Sequence, residues 1–374
     1  MENVLIIAEH DLSQAGGIQA GIMNNTKRLN KKYHFDIVVF SKNESPNELI
    51  FKSYGEVYRI ICDEHKNKLM TIKENLTRAL RIFTGVYSIL GKKKYKIIHI
   101  HDINKGATAI LAAKLRKVPI RIAQCHNPKS TEKESPLKPV YISFLRWILN
   151  NAANCKVGCS KEANSYMFKG SNDKTYVINN ELDLRRYQRS NPVNYDGLRF
   201  VHIGRFTEQK NHAFLLDVFA KVHEILPEAT LFLVGYGILE NAIRKQILHL
   251  GIKNCVKLLP FDTDGPTILD NSDYMIFPSF YEGFGRVLIE AQAMEVKCFA
   301  SDVIPKTTDA GLCTYIPLSD GAQKWADLIV SYIKENKRLK EKLDRSFIQQ
   351  YDADKVAERY EQAYRGELLC QANT

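Results

Sequence analysis

The sequence predicts an α/β protein made of two doubly wound parallel sheets, and three observations support this class. The chain has 374 residues, and because a domain usually holds roughly 100–200 residues, two domains are expected. Short apolar runs rich in β-branched residues alternate with stretches in which apolar residues recur every three or four positions. This alternation of strands and helices is typical of a parallel sheet with helices on both faces. The alternation is interrupted once, near the middle of the chain.

The first series of predicted strands consists of the runs VLIIAEH, HFDIVVF, VYRIICD, KIIHIHD, IRIAQCH, CKVGCS and TYVINN. Helical spacing is present between some of these runs, as in AILAAKLRK and FLRWILNNAA. The series ends at LRRYQRSNPVNYDG, residues 184–197, which contains proline, asparagine and glycine and has no periodicity. We interpret this segment as the linker between the two domains.

The second series of predicted strands consists of LRFVHIGR, ATLFLVGYG, CVKLLPF, YMIFPS, KCFASD and TYIPL, with NHAFLLDVFAKVHEIL, LENAIRKQILHLG and GRVLIEAQAM as helices. Two polar-faced helices close the chain, AQKWADLIVSYIKENKRLKEKLDRSF, which we expect to be broken, and DADKVAERYEQAYRGELL. The predicted domains are residues 1–188 and 198–350, and residues 351–374 are expected to form a helix that crosses back to the first domain. Because ligands of doubly wound sheets bind beyond the carboxyl ends of the strands, the site is expected in the cleft between the two sheets.

The charge is distributed unevenly between the halves of the chain. Residues 1–190 carry 32 basic and 17 acidic side chains, net +15, whereas residues 191–374 are net −4. This asymmetry indicates that the first half binds an anionic partner, which could be nucleic acid, anionic lipid or a pyrophosphate-linked substrate. The alternative is a basic surface that only contacts solvent. Nucleic acid is not expected, because no basic stripe is interleaved with aromatic residues.

The sequence also predicts where the protein is found. It has no apolar run of about 18 residues and no basic leader in MENVLIIAEH, so a cytoplasmic location is expected.

Two predicted strand ends in the second half carry residues suited to an anion. Gly235 and Gly237 in FLVGYGILENA precede a helix, where a backbone can approach a ligand, although a tight turn explains them equally well. Arg205 and Lys210 in VHIGRFTEQKNHAFLL flank the start of the next helix and suit a diphosphate. The alternative for these cations is ordinary surface pairing with Glu208.

The stretch FPSFYEGFGRVLIEAQAM places Glu282 in a loop at a strand end and Glu290 on the following helix. At 1.5 Å per residue the two are at most about 12 Å apart. Each carboxylate can accept hydrogen bonds from a pair of vicinal hydroxyls, as the ribose and the hexose of a nucleotide sugar present on either side of a diphosphate. A solvent-facing Glu290 is the alternative, and its apolar neighbours on the helix argue against it.

The glycine-rich N-terminal loop, the GR…K pair, the G-x-G turn and the E-x7-E motif, in this order, resemble a retaining GT-B glycosyltransferase of family 4. The resemblance implies an N-terminal acceptor-binding and a C-terminal nucleotide-sugar-binding Rossmann-like domain that face a cleft. CFASDVIPKTTDAG resembles the exopolysaccharide and capsule branch of the family, although Thr307 or Thr308 stands where many relatives have a glutamate.

The resemblance also implies roles for individual residues. Arg205 and Lys210 would neutralise the diphosphate, Glu282 would hold the donor sugar and Glu290 the ribose. His126 in AQCHNPKS would lie near the reacting sugar, and the alternative for it is a strand-end histidine that bonds to the backbone. Asn180 and Asp183 match the family's hinge, where Asn179 and Glu181 replace a proline and a glycine, and His101 with Asp102 fits a strand end where an acceptor could dock. The implied catalytic set is His126, Arg205, Lys210 and Glu282. The implied donor-binding set is Gly16, Gly17, Gly204, Gly235, Gly237, Gly283, Phe284, Gly285, Leu288 and Glu290.

The resulting hypothesis is transfer of a hexosyl or N-acetylhexosaminyl group from a UDP-sugar to a glycan hydroxyl with retention of configuration. The acceptor is expected on a polyprenyl pyrophosphate, with peripheral contact between the basic first domain and an anionic membrane through PVYISFLRWILNN. The alternative for this segment is a helix packed in the core of the first domain. No cofactor and no metal are expected, because no DxD metal motif stands out and the resemblance to GT-B enzymes implies a metal-independent site. Arg205, Lys210 and helix dipoles would then stabilise the leaving group. Two alternatives stay open, a UDP-sugar 2-epimerase on the same fold and a non-catalytic sugar-nucleotide binding protein.

Overall fold

The computed structural model describes residues 1–8, 12, 17–62, 72–101, 103–126, 138–171, 174–190, 198–335 and 341–369. The chain forms two compact units. Unit 1 comprises Met1–Glu181 and Ala353–Thr374, and unit 2 comprises Leu182–Asp352. In the described part of the chain, no helix is both long enough and apolar enough to span a membrane.

Unit 1 is a parallel sheet in the order β3-β2-β1-β4-β5-β6-β7. Its strands are β1 Glu2–Ile7, β2 Tyr33–Val39, β3 Val57–Arg59, β4 Ile97–Ile100, β5 Ile120–Cys125, β6 Cys155–Gly158 and β7 Tyr176–Val177. Its helices are α1 Gly17–Leu29, α2 Pro46–Phe51, α3 Ile72–Lys92, α4 Ile103–Leu115, α5 Lys138–Ala152 and α6 Lys161–Met167, together with α13 Ala353–Tyr364 from the end of the chain.

Both faces of this sheet are buried, as the continuous apolar runs of the sequence predict. Leu5 and Ile7 of β1 pack in the cluster that contains residues of α3, α4 and α5. Val4 and Ile6, which alternate with them, pack in the opposite cluster with residues of α1 and α13. The C-terminal helix α13 therefore completes the core of unit 1.

Unit 2 is a second parallel sheet, in the order β10-β9-β8-β11-β12-β13. Its strands are β8 Arg199–Ile203, β9 Thr230–Val234, β10 Val256–Leu259, β11 Tyr274–Phe277, β12 Lys297–Ser301 and β13 Cys313–Ile316. Its helices are α7 His212–Ile225, α8 Glu240–His249, α9 Gly265–Asp270, α10 Arg286–Ala293, α11 Gly321–Lys334 and α12 Arg345–Gln349.

The division between the units differs from the predicted boundary at residue 188, because the chain joins unit 2 at Leu182. Leu182 is buried in a cluster with Phe284, Ile289 and Tyr351, and its N–H donates to the Tyr351 carbonyl at 2.7 Å. Residues between 182 and 190 therefore belong to the second core, although their sequence has no periodicity.

Candidate functional site

The order of strands in unit 2 creates a switch point between β8 and β11. From β8 the chain continues to β9 and β10 on one side, and it then returns to β11, β12 and β13 on the other side. The chain thus leaves β8 and β11 toward opposite sides of the sheet, and doubly wound sheets bind ligands at the carboxyl edge beside such a switch point. Arg205, Lys210 and Glu282 all lie in the loops that follow these two strands.

Hydrogen bonds join these two loops to each other. The N–H of Phe280 donates to the Gln209 carbonyl at 2.9 Å, and Gln209 Nε2 donates to the Tyr281 carbonyl at 2.9 Å. Asn211 Nδ2 donates to the Pro278 carbonyl at 3.2 Å. The two loops therefore hold each other in place immediately before Glu282.

Lys210 and Glu282 form an ion pair between these two loops. Lys210 Nζ lies 2.7 Å from Glu282 Oε1, and the side chains are only 13% and 9% exposed. The ammonium also lies 4.7 Å from the centre of the Phe277 ring. Sequence reasoning assigned these residues to the diphosphate and the sugar separately and missed their contact, which no local pattern reveals. Arg205, by contrast, is exposed.

The second glutamate of the motif is held on α10. Gly285 is the N-cap residue of this helix with φ 75°, a conformation that favours glycine. Arg286 Nε donates to Glu290 Oε1 at 2.8 Å, and Tyr187 contacts the same carboxylate, so that burial and Glu290 raise the pKa of Tyr187. Glu290 is thus mostly buried against two partners, and the alternative of a solvent-facing glutamate is wrong. No sequence signal pointed to Tyr187.

The glycines of the neighbouring loops are required by close backbone packing. A Cβ at Gly235 would lie 2.0 Å from the Gly204 carbonyl oxygen, and one at Gly237 would lie 2.4 Å from the Phe206 carbonyl oxygen. A Cβ at Gly204 would lie 3.2 Å from Cε of Lys210. These residues therefore shape the loops around Lys210.

Two predicted donor-binding residues have side chains in the core. Leu288 is fully buried in the cluster beneath α10, and Phe284 packs against the ring of Tyr351. Their side chains are thus unsuited to touch a donor, because the apolar face of α10 and its preceding loop must cover the sheet. Thr308, which stands near the position of the missing family glutamate, is buried with its Oγ1 3.7 Å from a Cβ placed on Gly285.

Two features of this edge were not predicted. His202 and His212 are buried beside Lys210, and burial together with the Lys210 charge lowers the pKa of His212 to about 4. Tyr236 and Phe261, which follow β9 and β10, are exposed and have ring centres 4.7 Å apart. The two rings are tilted by 53° to each other and form an exposed apolar surface beside the loop that follows β8.

Unit 1 gathers a second polar cluster at the carboxyl ends of its strands. His126 Nε2 lies 3.1 Å from His101 Nδ1, and His126 Nδ1 lies 3.3 Å from Asn180 Oδ1. Glu181 is buried and accepts hydrogen bonds from Asn24 and Asn25 of α1 at 3.2 and 3.3 Å. The structure therefore brings together His101 and His126, which the sequence had placed at two strand ends, and Asn180, which it had placed at the hinge.

The other predicted residues are placed as follows. Gly17 begins α1, and Gly283 lies in the loop between Glu282 and α10. Gly16 and Asp102 lie outside the described residues. Across the described ranges, no group of three or more His, Cys, Asp or Glu side chains is arranged to hold a metal ion, and the expectation of a metal-independent site stays a prediction.

Two family models match consecutive parts of the chain. The model described as Glycosyltransferase Family 4 matches residues 15–186, and the model described as Glycosyl transferases group 1 matches residues 185–344. The junction of the two matches lies close to the point where the chain passes from unit 1 to unit 2.

The chain is also similar to individual proteins. It is 29% identical over 334 residues to EpsF of Bacillus subtilis (strain 168), which is named as a glycosyltransferase, and the match covers 84% of each chain. It is 27% identical over 257 residues to the UDP-Gal:alpha-D-GlcNAc-diphosphoundecaprenol alpha-1,3-galactosyltransferase of Escherichia coli, covering 61% of this chain and 63% of that enzyme. The crystal structure of Anabaena Alr3699/HepE in complex with UDP matches with a TM-score of 0.77 at 17% identity, over 98% of this chain and 100% of that one. The predicted fold class, GT-B, is thereby confirmed.

Proposed function

We propose that this chain, which belongs to the family 4 glycosyltransferases, transfers a hexosyl or N-acetylhexosaminyl group from UDP to a hydroxyl of a lipid-linked glycan, with retention of configuration. The observation that carries the proposal is the site at the β8–β11 switch point, where Lys210, Glu282 and the N-terminus of α10 lie together. The named substrates of the galactosyltransferase relative and the UDP of the HepE complex support the choice of UDP and of a diphospholipid acceptor.

In the proposed complex the diphosphate lies between Lys210 and the N-terminus of α10. The first N–H groups of a helix are free to bind an anion, and the helix dipole favours negative charge there. Arg205 is exposed and can turn to the same phosphates. Glu290, held by Arg286 and Tyr187, accepts the ribose hydroxyls, and the exposed pair Tyr236 and Phe261 is suited to stack on the base.

Glu282 changes partners when the donor binds. In the free protein its carboxylate is bonded to Lys210 at 2.7 Å. A diphosphate draws the ammonium toward its oxygens, and Glu282 can then accept hydrogen bonds from the donor sugar. The ion pair therefore keeps both groups ordered before the donor arrives, which lowers the cost of organising them during the reaction.

The chemical step requires stabilisation of the leaving group. The acceptor oxygen bonds to the anomeric carbon on the face from which the phosphate departs, and the bond between that carbon and the β-phosphate oxygen breaks. The electron pair stays on that oxygen, which also receives the acceptor proton. Lys210, Arg205 and the N–H groups of α10 stabilise the negative charge where it develops.

We also propose that unit 1 contacts an anionic membrane from the cytoplasmic side, in exopolysaccharide or capsule synthesis. Val140, Phe144 and Trp147 lie along the outer side of α5, with Phe144 and Trp147 56% and 63% exposed. Leu76 and Leu80 are exposed on α3, and both helices pack against α4. The net charge of +15 in residues 1–190 adds electrostatic attraction of about 1 kcal/mol for each basic side chain near the lipid.

The proposed donor specificity is tested by titration calorimetry of the protein with UDP, GDP and ADP, followed by transfer assays with UDP-galactose, UDP-glucose and their N-acetyl forms. The acceptor probe is GlcNAc diphosphate carried on a decyl chain. Selective binding of UDP, and a product whose anomeric configuration by NMR matches that of the donor, are expected. Equal affinity for all three nucleotides, or an inverted product, would contradict the proposal.

The proposed membrane contact of unit 1 is tested by flotation with vesicles that contain phosphatidylglycerol. Replacement of Phe144 and Trp147 by serine should abolish flotation, because these side chains supply the apolar contact. Leu248→Ser, which changes an exposed leucine of unit 2, is the matched control. Equal flotation of the wild type, the double variant and the control would contradict the assignment of this surface of α5 to membrane contact.

A further inference from the structure

The polar cluster at the strand ends of unit 1 contains His101, whose ring nitrogen Nε2 has no role in the proposed donor site. His101 follows β4 and His126 follows β5, and because these strands are parallel neighbours their carboxyl ends lie side by side. His101 Nδ1 is 3.1 Å from His126 Nε2, and His126 Nδ1 is 3.3 Å from Asn180 Oδ1. Both ring nitrogens of His126 are thus occupied within the protein.

Both rings of the pair are neutral. Burial lowers the pKa of His126 to about 4, and burial together with the neighbouring histidines lowers the pKa of His101 well below its usual range. A neutral imidazole carries one N–H donor and one acceptor nitrogen. The hydrogen bonds run in series from Asn180 to His126 and from His126 to His101, and each one therefore determines the tautomer of the ring that follows it.

Asn180 determines which atom donates and which accepts in this series of hydrogen bonds. Its carbonyl oxygen accepts from His126 Nδ1–H, so that His126 Nε2 has a lone pair and accepts from His101 Nδ1–H. The second nitrogen of His101, Nε2, is then left as an acceptor. Within the described ranges, no side chain or backbone group is hydrogen-bonded to it.

The ring of His101 is also fixed from its other side. The ring of His99 packs against it with a centroid separation of 4.0 Å. His99 is held in turn by Gln124 Oε1 at 2.9 Å and by the hydroxyl of Tyr364 on α13 at 3.0 Å. The position and the tautomer of His101 are therefore both established before any ligand binds, as an efficient binding group requires.

We infer that His101 Nε2 accepts a hydrogen bond from the reacting hydroxyl of the acceptor, and that His126 is a positioning residue that fixes the His101 tautomer. This inference rests on the proposed function and on the family resemblance, which implies that the first domain binds the acceptor. The hydrogen bond directs the oxygen lone pair to the anomeric carbon. As the new bond forms and the bond to the β-phosphate oxygen breaks, the hydroxyl proton passes to that phosphate oxygen and not to the weakly basic ring. The family resemblance implies a position near the reacting sugar for His126, and the inference assigns the contact with the acceptor hydroxyl to its neighbour His101.

Two substitutions at His101 distinguish a contact role from a structural one. In His101→Asn the amide nitrogen occupies about the position of Nδ1, so the bond to His126 is kept and the distal nitrogen is lost. In His101→Gln the amide lies near the position of Nε2, so the distal acceptor is kept and the bond to His126 is lost. Thermal unfolding of both variants verifies that they are folded.

Initial rates are measured with the UDP-sugar that the wild type uses and with GlcNAc diphosphate on a decyl chain, with kcat and the KM of each substrate determined separately. His101→Asn is expected to lower kcat over the acceptor KM by about 100-fold and to leave the donor KM unchanged. His101→Gln is expected to keep the larger share of activity. The reverse order, with His101→Asn near wild type and His101→Gln inactive, would show a structural role and overturn the inference.

A second measurement separates this inference from the proposed function. Nitrogen-15 NMR of histidine-labelled protein reports which nitrogen of His101 carries the proton, whether or not sugar is transferred. The expected result is Nδ1–H in the wild type and a mixture of tautomers in Asn180→Leu. Nε2–H on His101 in the wild type would overturn the inference even where UDP binding and transfer are observed. Absence of UDP binding and transfer, with Nδ1–H on His101, would contradict the proposed function and leave the tautomer assignment standing.

Discussion

Replacement of Lys210 by methionine tests the central ion pair of unit 2. Methionine has nearly the length of lysine but no charge, so the substitution leaves the Glu282 carboxylate, only 9% exposed, without its cation. Breaking one partner of a largely buried pair costs about 3–5 kcal/mol. For a unit of the size of Leu182–Asp352, each kcal/mol lowers the melting temperature by roughly 2–4 °C, so a decrease of roughly 6–20 °C is expected.

The structure provides a matched control and a rescue for this experiment. Lys324 and Asp320 form a pair of similar length, 2.8 Å, but their side chains are 60% and 23% exposed. Lys324→Met should therefore cost at most about 1 kcal/mol. The double variant Lys210→Met with Glu282→Gln removes both charges and should recover most of the lost stability.

Stability and donor binding are measured separately, by thermal unfolding and by titration with UDP. Both Lys210→Met and the double variant should lose UDP affinity, whereas only the double variant should regain stability. Equal melting temperatures for Lys210→Met and Lys324→Met would refute the reasoning from burial. Wild-type UDP affinity in Lys210→Met would refute the diphosphate assignment.

Three further predictions follow from the site. Gly235→Ala should destabilise unit 2 by more than about 2 kcal/mol in urea denaturation, because its Cβ would lie 2.0 Å from the Gly204 carbonyl oxygen. Gly251→Ala, where a φ of 70° strains alanine but no atom lies within 4 Å of the new Cβ, should cost less, about 1 kcal/mol. Glu290→Gln should weaken UDP binding in calorimetry with little change in melting temperature, and UDP affinity equal to that of the wild type would exclude a ribose contact. Because burial lowers the pKa of His126 to about 4, the unfolded chain binds more protons than the folded one below about pH 6.5. The free energy of unfolding should then fall by on the order of 3 kcal/mol for this residue between about pH 6.5 and 4, and a pH-independent value would contradict a neutral buried ring.

Much of the fold and part of the site could be predicted because they depend on local patterns. Apolar runs of strand length that alternate with helical spacing predicted the parallel sheets, since a strand buried on both faces must be apolar throughout. The same reasoning placed Lys210 and Glu282 after strands, at the edge where ligands bind, and Glu290 on the helix that follows Glu282. The family resemblance then connected these residues with a nucleotide sugar.

The contacts within the site depended on the tertiary structure. Lys210 and Glu282 are 72 positions apart, and His126 and Asn180 are 54 apart, so only the order and register of the strands bring them together. The close approach of Gly235 to Gly204, the burial of Leu288 and the entry of Leu182 into the second core have the same origin. The sequence by itself thus determined which elements form and which residues lie at their ends. Only the packed sheets decided which of those residues bond to each other, because hydrophobic periodicity reports the environment of one segment and not the identity of its distant neighbours.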